Sequence, residues 1–306
     1  MTTHSPDELR TPEDRFAAVP DYPWAPHYLE FSGEAPSGLR LHYLDEGPAQ
    51  AQHTFLCLHG MPTWSFLYRK MIPVFLEAGH RVIAPDFFGF GRSDKPTDPE
   101  RYTFDFHRQT IITLLAKLDL RNITLVCQDW GGLIGLTLPV EMPERFSRLI
   151  VMNTALAVGV SPGDGFNAWK AYNAANPDLP IAKLMTRSVP GIKPEEAAAY
   201  EAPFPDVRYK VGVQRFPEIV PVAPEMPGAA ISRRAAKWFS SEWSGQSFMA
   251  VGELDPVLGP PVMAHLRKTI RGCPEPMLLP NAGHFVQEAG EEVARAALQS
   301  FASAAS

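Results

Sequence analysis

The feature that most constrains this chain is an alternation of short apolar runs with longer segments whose apolar residues recur at helical spacing. Most of the runs lack the strict polar–apolar alternation of strands that face water on one side, so they are typical of strands buried on both faces. Strands of this kind, joined by helices, pair in parallel within one sheet that helices cover on both sides. The sequence therefore predicts an α/β fold with a mostly parallel sheet.

The alternation is interrupted between about residues 156 and 230, where prolines and aromatic residues accumulate. Few strands tolerate so many prolines, so we expect short helices and loops that form a cap inserted after the strand predicted at 148–153. A disordered linker is a poorer interpretation because the segment carries too many aromatic side chains. These are Phe166, Trp169, Tyr172, Tyr200, Phe204 and Phe216. The predicted strands lie at 39–44, 54–60, 81–87, 123–129, 148–153, 247–253 and 276–281, and the predicted helices at 64–78, 105–119, 131–142, 260–271 and 288–303.

This pattern divides the chain into two predicted domains. Residues 1–155 and 231–306 form the α/β core, and residues 156–230 form the helical cap.

Composition and charge exclude several classes of protein. With 45% hydrophobic and 20% charged residues the chain is ordinary globular protein. A net charge of −6 and scattered Lys and Arg residues argue against nucleic acid as a partner. The longest apolar stretch, at 131–140, is about half as long as a membrane span, and the polar N-terminus lacks the pattern of a secretion signal. Three cysteines are too few for a disulfide framework. We expect a cytoplasmic protein without a membrane segment.

The segment VCQDWGG (126–132) resembles the sharp strand-to-helix turn that presents a nucleophile in many hydrolases. Asp129 stands at the nucleophile position, with Cys127 and Gly131 as its small neighbours. The strand-like ITLVC before the turn and the helix-like GLIGLTLP after it supply the expected context. The alternative is that Asp129 only caps the following helix, which is a common role for aspartate.

Two further residues complete a possible catalytic set. On such a fold the nucleophile is followed along the chain by an acid and then a histidine, both on loops after late strands. Asp255 follows the predicted strand at 247–253, and His284 follows the last predicted strand. Glu253 is an alternative acid, whereas Asn153, at the end of the strand predicted at 148–153, cannot carry a charge. We therefore expect Asp129, Asp255 and His284 to act together.

Together these segments resemble the haloalkane dehalogenases of the α/β-hydrolase superfamily over nearly the whole chain. The matching stretches are HGMPTWSFLYRKM (59–71), DFFGFGRSDKP (86–96), VCQDWGG, DGFNAWK (164–170), GELDPVLGP (252–260) and NAGHFVQE (281–288). The HGMP stretch at 59–62 and an aspartate in the turn VCQDWGG are features shared with epoxide hydrolases. DGFNAWK is therefore the more discriminating motif. The resemblance implies an α/β-hydrolase fold with an eight-stranded sheet and an inserted helical cap, in the branch with its acid after the seventh strand.

The resemblance also implies a reaction and a set of roles. A carboxylate is already charged at neutral pH, so Asp129 can displace a halide from a saturated carbon without a base. His284 then activates the water that hydrolyses the resulting ester, and Asp255 orients the imidazole. The indole N–H groups of Trp130 and Trp169 would hold the halide, and the backbone N–H groups of Met61 and Trp130 would hold the oxyanion. Leu133, Phe166, Phe216, Pro217, Val220, Val257 and Leu258 would line a dry substrate pocket.

Two departures from the family pattern qualify this interpretation. Met61 occupies a position that is usually polar in related enzymes, which puts side-chain help with the halide in doubt. The stretch from Asn153 to Phe166 is shorter than in such relatives, which suggests a wider pocket mouth and longer or brominated substrates.

Three rival functions use the same residues. An epoxide hydrolase would need two cap tyrosines from Tyr172, Tyr200 and Tyr209 to protonate the opening ring. A haloacid dehalogenase would need Lys170 or Arg215 in the pocket, and a non-catalytic receptor would need no reaction at all. The expected partners are a small apolar halogenated substrate, water and a halide ion. We expect a monomer and no metal or organic cofactor, because no such motif is present.

Overall fold

The computed structural model describes residues 7–31 and 38–303. Its strands are β1 (Glu8–Leu9), β2 (His27–Glu30), β3 (Arg40–Glu46), β4 (Thr54–Leu58), β5 (Arg81–Pro85), β6 (Lys95–Pro96), β7 (Ile123–Cys127), β8 (Phe146–Met152), β9 (Gln246–Gly252) and β10 (Met277–Leu279). Its α-helices are α1 (Ile72–Glu77), α2 (Phe104–Lys117), α3 (Trp130–Gly135), α4 (Asp164–Ala175), α5 (Ile181–Ser188), α6 (Pro194–Glu201), α7 (Val211–Arg215), α8 (Ala229–Ser241), α9 (Pro260–Thr269) and α10 (Gly290–Ser303).

Eight of the strands form one sheet in the order β10-β9-β8-β7-β4-β5-β3-β2. The strands from β10 to β5 pair in parallel, and β3 and β2 add antiparallel at one edge. Every residue of β4 and β7 is buried, as their uninterrupted apolar sequences predict. The predicted eight-stranded α/β-hydrolase sheet is therefore confirmed. β1 and β6 form a separate two-stranded ribbon.

Two predicted helices are shorter than their apolar patterns suggested. The helix predicted at 64–78 begins only at Ile72, as α1, after a short 3₁₀ helix at Ser65–Tyr68. The other one is α3. The prediction ran from residue 131 to residue 142, but α3 ends at Gly135. Beyond it, the N–H groups of Thr137 and Leu138 reach back only three residues, to Ile134 and Gly135. Pro139 has no N–H to continue an α-helix, so the chain leaves the helix before it.

The segment between β8 and α8 contains helices α4 to α7 and, within its described residues, no strand. No helix in the part of the chain that the structure describes is long and apolar enough to cross a membrane.

A buried ionic cluster joins this segment to the sheet-bearing part of the chain. The guanidinium of Arg69, whose side chain is 1% exposed, donates to Glu288 through both terminal nitrogens, at 2.8 Å each, and to Glu196 at 2.7 Å. Lys70 and the hydroxyl of Tyr200 also contact Glu288. Burial would raise the pKa of Glu196, but Arg69 outweighs it and lowers that pKa to about 2. The cluster therefore stays ionised at neutral pH.

Replacing Arg69 by methionine should destabilise the fold. The substitution leaves the carboxylates of Glu196 and Glu288 buried without their main partner, which typically costs about 3–5 kcal/mol in the free energy of unfolding. Chemical denaturation measures this change. Arg295→Met is the control, because Arg295 is 55% exposed and solvent screens its ion pairs with Glu77 and Glu291. If the two variants lost the same free energy of unfolding, the buried cluster would contribute no more to stability than a surface ion pair.

Candidate active site

The carboxyl ends of five parallel strands lie level with one another and carry the candidate residues. The register pairs Leu58 with Cys127, Cys127 with Val151, and Leu279 with Gly252. The loops that follow these strands therefore meet at one edge of the sheet, where ligands bind in open α/β folds.

Asp129 occupies a strained turn between β7 and α3. Its backbone has φ 50° and ψ −126°, a conformation that residues with side chains rarely adopt. A Cβ atom at Gly131 would lie 1.8 Å from the carbonyl oxygen of Leu58, so only glycine fits there. The Asp129 side chain makes no capping hydrogen bond to α3. The helix-cap interpretation is therefore wrong, and the carboxylate points elsewhere.

The Asp129 carboxylate is held by the loop after β4. Its Oδ1 accepts a hydrogen bond from the backbone N–H of Met61 at 2.8 Å. A Cβ atom at Gly60 would lie 2.2 Å from Oδ1, so glycine permits this close approach. Trp130, as the first residue of α3, has a backbone N–H without an intrahelical acceptor. The Met61 donor is independent of its side chain, so the departure from the family pattern leaves it in place.

His284 lies between the two candidate carboxylates. Its Nδ1 is 2.8 Å from Oδ2 of Asp255, and its Nε2 is 3.5 Å from Oδ2 of Asp129. Burial disfavours the charged imidazole, but Asp255 and Asp129 outweigh it and raise the pKa of His284 to about 10. The three residues thus form one chain of contacts in the order expected from the sequence.

Asp255 is fully buried and well supplied with donors. Its Oδ1 accepts from the backbone N–H groups of Val257 and Leu258, at 2.8 and 3.1 Å. Burial would raise the pKa of Asp255, but the imidazole of His284 and these hydrogen bonds outweigh it and hold that pKa well below its usual range. Glu253 is exposed. Of the two candidate acids, Asp255 is therefore the one placed beside the histidine.

Sequence reasoning missed the part that Asn153 takes. Its amide donates to Oδ2 of Asp255 at 3.0 Å and to the carbonyl oxygen of Gly252, and its Oδ1 accepts from the N–H of Gly252. Asn153 thus supports the acid from the neighbouring strand end. Its place at the end of the strand predicted at 148–153 was the available signal.

Gln128 is the second residue that sequence reasoning missed. Its side-chain nitrogen lies 2.9 Å from Nε2 of His284 and 3.0 Å from the carbonyl oxygen of His284. The residue is completely buried, and its Oε1 has no partner among the described residues. The carbonyl oxygen of His284 can only accept, so the nitrogen of the amide, and not its oxygen, faces this residue. A second N–H of the amide can donate to Nε2 of His284 when that nitrogen carries no proton.

A cavity of about 1130 Å³ opens above Asp129 and His284. Both Trp130 and Trp169 line it. The indoles of Trp64 and Trp243 donate to protein oxygens, whereas those of Trp130 and Trp169 have no protein acceptor in residues 7–31 and 38–303. Six of the seven predicted pocket residues also line the cavity, namely Leu133, Phe166, Pro217, Val220, Val257 and Leu258.

Phe216 is the exception among the predicted pocket residues. It is 1% exposed, and its ring packs 4.6 Å from the ring of Trp130 and 4.6 Å from that of His107. Phe216 therefore supports Trp130 from behind and is not part of the cavity wall. Its neighbour Pro217 takes that place because the chain turns in a short 3₁₀ helix, Phe216–Glu218.

The side chains required by the rival functions do not converge on Asp129. Tyr172 lines the cavity, but Tyr200 belongs to the buried ionic cluster around Arg69 and Tyr209 is not in the cavity wall. Arg215 pairs with Glu100 and Glu218. Lys170 is not in the wall either. No group of His, Cys, Asp and Glu side chains suited to a metal ion occurs in the described residues.

Comparisons with known proteins agree with this geometry. Residues 53–291 match the family model of the alpha/beta hydrolase fold. A haloalkane dehalogenase of Psychrobacter cryohalolentis is 44% identical over 296 residues, which are 95% of this chain and 97% of that protein. A haloalkane dehalogenase of Mycobacterium marinum is 41% identical over 94% of this chain and 97% of that relative.

Solved structures give the same result. The tetrameric haloalkane dehalogenase DpaA of Paraglaciecola agarilytica superposes with a TM-score of 0.93 at 51% identity, covering 95% of this chain and 98% of that one. The chain therefore belongs to the α/β-hydrolase fold family and, within it, to the haloalkane dehalogenases.

Proposed function

We propose that Asp129 is the nucleophile, His284 the general base and Asp255 its orienting acid in the hydrolytic dehalogenation that this enzyme catalyses. The observation that carries these roles is the placement of Nε2 of His284, 3.5 Å from Asp129, at the floor of a largely apolar cavity. The epoxide hydrolase alternative is not favoured, because a pair of cap tyrosines does not face Asp129.

In the first step, Oδ2 of Asp129 attacks the carbon that bears the halogen. Oδ1 already accepts a hydrogen bond from Met61, so Oδ2 is the freer oxygen. A carbon–oxygen bond forms, the carbon–halogen bond breaks, and the halide leaves with the bonding electrons. An unpaired anion in an apolar cavity is costly, and the unpaired indole N–H groups of Trp130 and Trp169 are donors that do not compete as bases.

In the second step, His284 takes a proton from water, and the hydroxide attacks the carbonyl carbon of the Asp129 ester. The negative charge then develops on Oδ1, where the N–H groups of Met61 and Trp130 can stabilise it. Collapse of this intermediate breaks the acyl carbon–oxygen bond and releases the alcohol. A proton, a halide and an alcohol are the products.

Formation of the ester on Asp129 also changes the pKa of His284. In the free enzyme, Asp255 and Asp129 together raise the pKa of His284 to about 10, although burial opposes them. Esterification neutralises Asp129 and removes its contribution to the raised pKa of His284. That pKa therefore falls, and the imidazole becomes a competent base. The base is thus activated by the step that precedes its use.

Gln128 acts on the same equilibrium as a positioning residue. Asp255 accepts the proton of Nδ1, so an N–H of Gln128 can bond to Nε2 only when that nitrogen is unprotonated. The amide cannot simply turn over, because its oxygen would then face the carbonyl oxygen of His284. Gln128 therefore favours the neutral imidazole that the second step requires.

Replacing Gln128 by glutamate should shift ester hydrolysis to higher pH. The new carboxylate stabilises the imidazolium, so the pKa of His284 rises by about one unit or more. At any pH below that pKa, a smaller fraction of His284 is then the neutral base. Steady bromide release as a function of pH measures the shift, and mass spectrometry at neutral pH should detect accumulated ester. Gln128→Met is the control, since it removes the amide without adding charge. Identical pH profiles for the two variants would rule out the electrostatic role.

The helical segment 156–230 is proposed to act as a cap over the core formed by 1–155 and 231–306. Trp169, Leu184 and Val220 of this segment line the same cavity as Asp129 and His284 of the core. The domain bounds also include residues 1–6, 32–37 and 304–306, which lie outside the described residues.

A monomer remains our proposal for the quaternary state. The structure describes five exposed large hydrophobic side chains, and three of them, Val160, Tyr172 and Leu254, surround the cavity. The other two, Val207 and Leu278, are isolated residues of the kind found on any surface. Light scattering on the eluting protein should give 33.8 kDa. A mass that corresponds to four chains, as in the relative DpaA, would contradict this proposal.

The activity itself is tested by following free bromide after the protein is mixed with excess 1,2-dibromoethane. Release should continue over many equivalents without any added cofactor. No bromide from several haloalkanes, together with turnover of styrene oxide, would contradict the proposed function.

A further inference from the structure

The cavity is larger than a short haloalkane needs. Its volume of about 1130 Å³ exceeds the range of about 300–1,000 Å³ that is usual for small-molecule sites. The exposed side chains of Val160, Tyr172 and Leu254 belong to its wall, so the cavity extends to the protein surface and is apolar there. This outer part suits an alkyl chain that runs from the reacting carbon toward solvent.

One permanent positive charge stands in the wall of the cavity. Arg187, in the last turn of α5, is the one lysine or arginine among the described residues that line it. Its guanidinium carbon lies 5.3 Å from the centroid of the Tyr172 ring. Arg215 is paired with two glutamates, whereas Arg187 forms no ion pair with any carboxylate in the described residues. The guanidinium is therefore available to an anionic group.

A continuous row of side chains connects this charge to the reacting end of the cavity. Trp169 and Tyr172 lie three residues apart on one face of α4, with ring centroids 6.1 Å apart and planes inclined by 31°. Tyr172 in turn contacts Arg187. An extended chain whose halogen lies beside Trp169 can follow these rings and place its far end at the guanidinium.

We propose that the enzyme accepts long substrates that carry a halogen at one end and a carboxylate at the other, with the carboxylate bound by Arg187. The proposal rests on the proposed function, because the halogenated end reacts at Asp129 as described. A guanidinium can donate two parallel hydrogen bonds to a carboxylate, and contact with Tyr172 limits the side-chain freedom that is lost on binding. A haloacid with only one or two carbons between the halogen and the carboxylate would bring its charge close to Asp129.

The test compares 8-bromooctanoate with its neutral analogue 8-bromooctanamide. The measured quantity is the ratio of kcat/KM for the acid to kcat/KM for the amide. Because Arg187 is exposed, Arg187→Gln should lower this ratio by at most about fivefold, the upper end of the effect of losing one exposed ion pair. The change should appear in KM rather than kcat, since the carboxylate lies far from the reacting carbon. Lys183→Gln is the matched control, because Lys183 is exposed on the same helix but does not line the cavity.

Two results would overturn the proposal. One is a wild-type enzyme that prefers the amide to the acid. The other is an equal fall of the ratio in the Arg187 and Lys183 variants, which would mean general attraction of negative substrates. Bromide release from 1-bromobutane by the same preparations shows that the chemistry is intact, so a missing preference counts against the Arg187 subsite alone.

Discussion

Replacing His284 by phenylalanine should leave an enzyme that releases about one equivalent of bromide per active site and then stops. The displacement step needs only the charged carboxylate of Asp129, so it survives the loss of the imidazole. Hydrolysis of the ester loses its general base, a contribution of about 10²- to 10⁴-fold. Rapid-mixing measurements with 1,2-dibromoethane should therefore show a bromide burst, and mass spectrometry should show the added alkyl group on the peptide that contains Asp129.

His265 provides a control for this experiment. It also lines the cavity but is exposed and lies on α9, away from the chain of contacts through Asp255. His265→Phe should continue to release bromide beyond the first equivalent. Absence of any burst from His284→Phe, or a burst without ester, would contradict a two-step reaction in which His284 serves the second step.

Replacing Asp129 by asparagine should abolish bromide release, including the first equivalent. The neutral amide keeps the shape of the side chain and can still contact Met61, but it is a far weaker nucleophile at saturated carbon. Loss of a nucleophile typically costs about 10⁶-fold in kcat. Single-turnover bromide measurements at high enzyme concentration give the sensitivity that this comparison requires.

The alternative acid is the control for the Asp129 variant. Glu253→Gln removes an exposed carboxylate two residues from Asp255 and should retain continuous turnover. A first equivalent of bromide from Asp129→Asn at the wild-type rate would show that another group attacks the substrate. Because asparagine in a strained turn can hydrolyse back to aspartate, Asp129→Ala should be measured beside it.

Much of the fold follows from local sequence patterns. Strands β4 and β7 are continuous apolar runs, and such runs are difficult to accommodate except between two layers of helices. Strand β2 escaped prediction because it is short and only partly buried at the sheet edge, so its sequence carries little hydrophobic pattern. The early end of α3 depends on Pro139, which a prediction based on the spacing of apolar residues does not take into account.

Some residues of the candidate site could be identified from the sequence, and others could not. Asp129 and His284 could be recognised because each follows a strand, and their order along the chain is typical of the fold. Gln128 and Asn153 contact residues that follow other strands, and although the position of Asn153 at a strand end was a signal, sequence spacing does not reveal these partners. The family resemblance placed Phe216 in the pocket, but whether a side chain faces a cavity or the layer behind it depends on the local turn. The resemblance to haloalkane dehalogenases was confirmed by the comparisons, whereas the residue roles stay predictions.

The most direct test of the account is a single turnover in water enriched in oxygen-18, with enzyme in excess over 1,2-dibromoethane. If Asp129 forms an ester and water attacks its carbonyl carbon, the alcohol carries the original oxygen of Asp129. The heavy oxygen should then appear in the peptide that contains Asp129. Heavy oxygen in the alcohol of the first turnover, with an unlabelled peptide, would mean that water attacks the substrate directly and would contradict the aspartyl ester.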